Sequence, residues 1–238
     1  MIRTYLEDKA TASKRGLERG LSVRILRRLT PWRLRQAAKL HATALLIPVS
    51  RRRARRLLRG GDLSLHLGSG IHRLPGWVNV DLYGMQPDLH WDLRRPLPFP
   101  DSSARAVFLE HVLEHFTLAD VLDILEECHR VLKPGGVIRV GVPDFGRYLH
   151  SYADDGAFIE RLRPGRPTPL LAVAEVALMH GHRSVWDGPT LEKVLSEAGF
   201  VDARARSFGE SALDPVPDAD YREPETVYAE GRRAVERS

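Results

Sequence analysis

The sequence predicts an α/β domain: a mostly parallel sheet with helices on both faces and an antiparallel strand at its edge, preceded by a basic helical extension. Three observations predict it. From Gly60-Gly61 onward, short apolar runs alternate with helix-period patterns, which is how a parallel sheet with crossover helices is written. The first apolar run leads straight into Gly68-Ser69-Gly70. Charge divides the chain of 238 residues at the same place. Residues 1–60 carry 17 Lys/Arg against 3 Asp/Glu, about +14, which leaves about −9 for the rest of a chain whose total is +5. The expected organisation is a basic extension over 1–60 and a domain over 61–238.

In the extension, "LSVRILRRL" and "PWRLRQAAKLHATALLI" read as amphipathic helices, the second ending at Pro48. Neither offers the roughly 18 apolar residues a membrane span needs. "RRRARR" follows the apolar stretch where a signal peptide would place small residues, so no signal peptide is expected. A helix packed on the domain, an anchor to an anionic membrane and a nucleic-acid arm all fit a basic amphipathic segment. Aromatic residues that could stack on bases are nearly absent, only Tyr5 and Trp32, which disfavours the last. The single cysteine, Cys128, excludes an internal disulfide and suits a reducing compartment, so a cytoplasmic protein, peripheral to the inner membrane face, is expected.

The strand candidates are 63–67, 77–82, 89–93, 106–110 and 137–142. Between the last two, Leu118, Val121, Leu122, Leu125 and Leu132 keep helical spacing. Thr117 with Asp120 forms a capping-box pattern at its start, and Pro134-Gly135-Gly136 ends it. "PTLEKVLSEAGF" is a second helix, opened by Pro189 and closed at Gly199. Residues 203–211 and 225–231 read as an antiparallel pair at the sheet edge. Residues 145–186 are helical without a strand, the natural lid or acceptor-binding insertion.

The glycine turn lies at the carboxyl end of the first strand, where α/β proteins bind ligands. A dinucleotide site needs G-x-G-x-x-G, a helix for the pyrophosphate and an acidic residue about 20 positions on. Here position 73 is arginine, Asp81 follows Gly70 by eleven residues, and Pro75-Gly76 leaves hardly room for a helix. A nicotinamide dehydrogenase is therefore disfavoured. The loop suits a ligand with a ribose and no pyrophosphate, received by close backbone at the glycines and by the Asp81 carboxylate.

Four blocks in order, "LHLGSGIHRLPGWVNVDL", "WDLRRPLPFPDSSARAVFLEHVLEH", "ECHRVLKPGGVIRVGVPD" and "TLEKVLSEAGF", resemble the class I S-adenosylmethionine-dependent methyltransferases. The resemblance spans about residues 63–230 and excludes the basic extension. It implies the seven-stranded, Rossmann-like methyltransferase sheet and S-adenosyl-L-methionine as cofactor. It further implies that Gly68, Ser69 and Gly70 line the methionine and ribose, and that Asp81, with Leu82 beside it, binds the ribose hydroxyls. Asp92 and the Leu93 backbone would receive the adenine, and Glu110 and His111 would face the methyl-transfer centre. His66 departs from many members, where another residue precedes the glycines.

Transfer to a hydroxyl requires removal of its proton by a base that titrates near operating pH, for which histidine is suited. His111 and His182 are the candidates, the latter in "MHGHRSVWD", which borders the acceptor pocket in resembling proteins. Asp144, after the fifth strand, orients the acceptor or caps the following helix. "HVLEH" (111–115) matches the H-x-x-E-H zinc-protease pattern, with Glu114 between the histidines. It straddles a strand-to-loop junction where no helix would align the two histidines, so no metal is expected. The expected reaction is O-methylation of a sugar, glycolipid or other small-molecule hydroxyl. Two rivals are an RNA methyltransferase using the basic extension and a non-catalytic cofactor-binding partner protein. Against the former, no Asn-Pro-Pro-type loop follows the fourth strand.

Overall fold

A computed structural model describes residues 2, 32–83 and 87–235, with residues 32–44 described by their backbone alone. The helix expected over 21–29 lies outside the described residues. Among them no helix is long and apolar enough to cross a membrane.

Helix α1 (Trp32–Leu57) runs through Pro48 instead of ending there. Proline removes one helical N–H and crowds the preceding turn, but the turns after it are held by packing. Ser50 Oγ donates to the His90 carbonyl at 2.9 Å, and Ala54 is fully buried. Ile47 and Leu57 pack against the core, while Arg51, Arg52, Arg53, Arg55 and Arg56 face solvent. Over residues 47–57 this helix packs on the domain through one face and presents its arginines on the other.

The sheet has seven strands: β1 (Leu63–Leu67), β2 (Val78–Asp81), β3 (Leu89–His90), β4 (Ala104–Glu110), β5 (Leu132–Pro143), β6 (Val201–Arg206) and β7 (Thr226–Arg232). Their order is β3-β2-β1-β4-β5-β7-β6. β1 pairs in parallel with both β2 and β4, and only β7 runs antiparallel to its neighbours. The chain order therefore reverses between β1 and β4, and open α/β sheets bind ligands at the carboxyl ends of the strands at such a point.

Helix α2 (Leu118–Val131) buries Val121, Ile124, Leu125 and Cys128 against the sheet. Its capping box is formed: Thr117 Oγ1 accepts from Asp120 N, and Asp120 Oδ2 accepts from Thr117 N. Thr117→Ala is expected to cost about 1 kcal/mol, read from urea unfolding. The helix ends at Val131, and β5 already begins at Leu132, opposite Ala104. Pro134-Gly135-Gly136 therefore lies within the strand, at a register shift, and does not end the helix.

Between β5 and β6 come α3 (Phe145–Ala153), α4 (Ala157–Leu162), α5 (Pro169–Leu178) and α6 (Gly188–Glu197). The first three build a small core of their own from Tyr148, Ile159, Ala172, Val173 and Val176. Residues 207–211, expected to extend the edge strand, leave the sheet. They begin a 19-residue connection to β7 that returns across the carboxyl edge and closes in a short 3-10 turn, Asp220–Glu225. One buried cation holds it. Arg139 on β5 donates to Asp218 at 2.6 Å, Glu230 at 3.0 Å and the carbonyls of Ser207 and Glu210, and lies 4.6 Å over the Tyr228 ring.

Candidate functional site

No helix forms between β1 and β2. Asn79, 1% exposed, holds this crossover in place of one. Its Oδ1 accepts from Leu74 N, and its Nδ2 donates to the carbonyls of Leu74 and Trp77. Oδ1 also meets His66 Nδ1 at 3.1 Å, so that nitrogen carries the proton. Burial pushes the His66 imidazole down to about 4. His66 is thus a neutral core residue bracing the loop.

Gly68 (φ +74°) and Gly70 (φ +54°) both adopt left-handed backbone, which favours glycine. A Cβ at Gly68 would sit 2.3 Å from a Val112 methyl, whereas one at Gly70 would meet nothing within 4 Å. The first glycine permits chain packing; the second leaves open space. Asp81, at the end of β2, accepts Gly70 N at 2.8 Å and Tyr83 N at 2.7 Å, one on each oxygen. A carboxylate has about four acceptor positions, so two remain. Ser69 Oγ is buried without a hydrogen-bond partner among the described residues. An open glycine, a carboxylate with spare acceptors and an orphaned hydroxyl fit a ribose-bearing ligand.

The other expected cofactor residues are more occupied. Leu82 follows Asp81 off the strand, and Leu93 is buried. Asp92 is gripped by Arg94 through two bonds of 3.0 and 2.7 Å, and, though burial opposes it, these bonds hold its carboxyl below the usual range. Glu110 Oε1 accepts from Tyr228 Oη at 2.7 Å and Ala219 N at 3.1 Å, tying β4 to the 207–225 connection.

His111 follows with φ +54°, uncommon for a side-chain-bearing residue and concentrated at functional sites. Its Nε2 lies 2.8 Å from Thr226 Oγ1, whose own proton goes to the Arg222 carbonyl. Nε2 must therefore donate, and Nδ1 accepts from Arg222 Nη1 at 3.2 Å. Burial, then the Arg222 charge, pushes this imidazole down to about 3. His111 is neutral with both nitrogens engaged. Asp144 caps α3, accepting Arg147 N at 3.1 Å, and its own N–H donates to Glu225.

His182 is placed differently. The Glu114 carbonyl accepts Arg183 N (2.7 Å) and Ser184 N (3.2 Å), which draws the α5–α6 connection onto the turn after β4. His182 Nδ1 donates to the Val176 carbonyl at 2.6 Å, so Nε2 keeps its lone pair. The ring stands edge-on to His115, centroids 5.1 Å apart. Burial lowers both imidazoles and keeps them neutral near pH 7. Beneath them, Glu114 is 1% exposed, and burial pushes its carboxyl up to about 8. Neither of its oxygens has a hydrogen-bond partner among the described residues.

The sequence reading missed Arg222 and Tyr221. Tyr221 packs on His72 (5.1 Å), just past the glycine turn, so the 220–225 turn spans from the β1 loop to the β4 end. No spacing signal could have found either, since the connection enters the site only through the sheet's fold.

Residues 83–140 match the family model for a methyltransferase domain. Over 104 residues the chain is 35% identical to a protein of Mycolicibacterium smegmatis (strain ATCC 700084 / mc(2)155) named "Probable S-adenosylmethionine-dependent methyltransferase". That match covers 44% of this chain and 31% of the relative, so the chain spans about a third of the relative's length. Among solved structures it is similar to an S-adenosylmethionine-dependent methyltransferase of Archaeoglobus fulgidus, with TM-score 0.47, 14% identity, and 85% of this chain and 100% of that one covered. It is also similar to phosphoethanolamine N-methyltransferase 2 of Haemonchus contortus in complex with S-adenosyl-L-methionine. There the TM-score is 0.45, at 13% identity, covering 73% of this chain and 49% of that one.

Proposed function

We propose that this chain, which carries a class I S-adenosylmethionine-dependent methyltransferase domain, methylates an oxygen: a hydroxyl of a sugar, glycolipid or other small molecule. The observation that carries the choice of oxygen is the group past β4, where His182 keeps a bare Nε2 beside His115 and above the buried Glu114 carboxyl. A hydroxyl must lose its proton as it is methylated, and this group supplies lone pairs to receive it.

When bound, S-adenosylmethionine supplies a methyl already activated on a sulfonium. The Gly68–Gly70 backbone lets that ligand approach closely, and Asp81 offers its two remaining acceptor positions to the ribose hydroxyls. Holding donor and acceptor in line accounts for up to about 7–11 kcal/mol of a barrier. Helix α3 and the end of α4 are tied to the 220–225 turn, Tyr148 Oη and Arg163 Nη2 both donating to the Glu225 carboxylate. The arginines exposed on α1 offer a cationic face to an anionic surface, where a lipid-linked acceptor would lie.

The test is a screen with methyl-labelled cofactor against nucleotide sugars, glycolipids and RNA. Label is expected in an O-linked small-molecule or glycolipid product; label only in RNA overturns the reading. Asp81→Ala is expected to weaken S-adenosylhomocysteine binding by about tenfold or more in calorimetry, through lost charge-assisted hydrogen bonds. Equal binding by the variant would remove Asp81 from the site.

A further inference from the structure

We infer that Glu114, His115 and His182 bind a divalent transition metal, with zinc the best match to the donor set. The inference rests on reading this cluster as the acceptor side of the site; with an ion bound, the His182 Nε2 lone pair goes to the metal, which would acidify the acceptor hydroxyl in place of a histidine base.

The donors are already gathered: one ligand atom from each residue lies within 4.8 Å of the other two. Tetrahedral zinc with bonds of about 2.0–2.1 Å places its ligand atoms roughly 3.3 Å apart. A contraction of about 1.5 Å at most closes the shell.

The buried Glu114 carboxyl lacks a partner among the described residues. Glu114 is 1% exposed and both its oxygens lack a hydrogen-bond partner among the described residues. A buried polar group without a hydrogen-bond partner is costly, and ligation to a metal, which displaces the carboxyl proton, would satisfy it. His111 Nδ1 is 3.5 Å from Glu114 Oε1, but that nitrogen accepts from Arg222 Nη1. Arg222 donates Nη1 to His111 and its charge acts on Glu114 through space, but neither group hydrogen-bonds the carboxyl.

His182 is oriented as a ligand. Its Nδ1–H is spent on a backbone carbonyl, so Nε2 is presented as a lone pair, the usual arrangement of metal-bound imidazoles. The Gly181 backbone hydrogen-bonds the His115 ring, and the His180 ring lies tilted to that of His182, centroids 5.9 Å apart. Two imidazoles and one carboxylate leave a fourth position open, as catalytic zinc sites do. This is not the H-x-x-E-H arrangement. His111 lies beside Glu114 but has both ring nitrogens engaged, by Thr226 and Arg222, and His182 brings the second imidazole from the far end of the helical insertion.

The experiment uses the untagged full chain, stripped with a chelator and titrated with zinc chloride by calorimetry. Cobalt chloride, followed by visible absorption, reports the coordination number. One equivalent of zinc and the intense d–d bands of four-coordinate cobalt are expected. Glu114→Gln and His182→Ala should each weaken zinc binding at least about tenfold, whereas the exposed His150→Ala should bind as the parent does. No stoichiometric uptake, or parent-like binding by both variants, overturns the inference. Each variant is also tested for S-adenosylhomocysteine binding, so that lost zinc with retained cofactor is assigned to the ligands and not to misfolding. Should both fail to fold, His115→Gln, on a half-exposed ring, decides the matter. A parent chain that binds zinc but not S-adenosylhomocysteine would sink the methyltransferase reading alone; one that binds S-adenosylhomocysteine but no zinc would sink only the ion.

Discussion

Arg139→Met is expected to lower folding stability by about 3–5 kcal/mol, the largest loss of any single substitution considered. Arg139 is fully buried and closes two ion pairs, with Asp218 and Glu230, whose side chains are 1% and 5% exposed. Methionine fills similar volume but leaves both carboxylates without a counter-charge. That penalty, more than lost packing, sets the magnitude. Guanidinium unfolding should show it. The triple substitution Arg139→Met, Asp218→Asn, Glu230→Gln should recover much of the loss, because no charge is then stranded. A single variant within about 0.5 kcal/mol of the parent would refute the account. Part of the damage should be local. Arg139 also holds the carbonyls of Ser207 and Glu210, so the connection carrying Tyr221 and Arg222 should loosen with it.

Gly68→Ala is expected to weaken S-adenosylhomocysteine binding by at least about tenfold and to destabilise the fold. Left-handed backbone costs a non-glycine residue about 1–2 kcal/mol by itself. The added Cβ would also sit 2.3 Å from Val112 Cγ2, so one of the two must move. Val112 is buried immediately before the turn Leu113–His115. Its displacement should disturb Glu114 and His115 together with the glycine loop. Adding Val112→Ala relieves the overlap but not the backbone strain, so the double variant should regain part of the binding. Calorimetry and thermal unfolding check both; a Gly68→Ala chain that binds like the parent would contradict the geometry.

How much of this was legible in the sequence depends on distance along the chain. β1, α2 with its capping box, and the helix opened by Pro189 were readable because their signals are local: alternation, helical period and a cap three residues from its partner. The helix-free crossover was legible for the same reason, since Pro75-Gly76 and the short interval to Asp81 leave no room. Local signals also misled. Pro48 reads as a stop, yet α1 continues because Ala54 and Ser50 are held by the sheet edge. Residues 207–211 carry a strand-like pattern, yet leave the sheet because Arg139 captures the carbonyl of Ser207 and the side chain of Asp218.

The chemistry of the acceptor side divides along the same line. The sequence by itself determined a glycine turn, a carboxylate one strand later and histidines at 111, 115 and 182, because these are matters of order and spacing. Which histidine keeps a free lone pair was decided only by the tertiary structure. Thr226 and Arg222, 115 and 111 residues away, occupy both nitrogens of His111. The Val176 carbonyl leaves Nε2 of His182 bare, and two backbone bonds to Glu114 bring it to His115. Such contacts leave no periodicity behind, since they join residues that only the closed sheet makes neighbours.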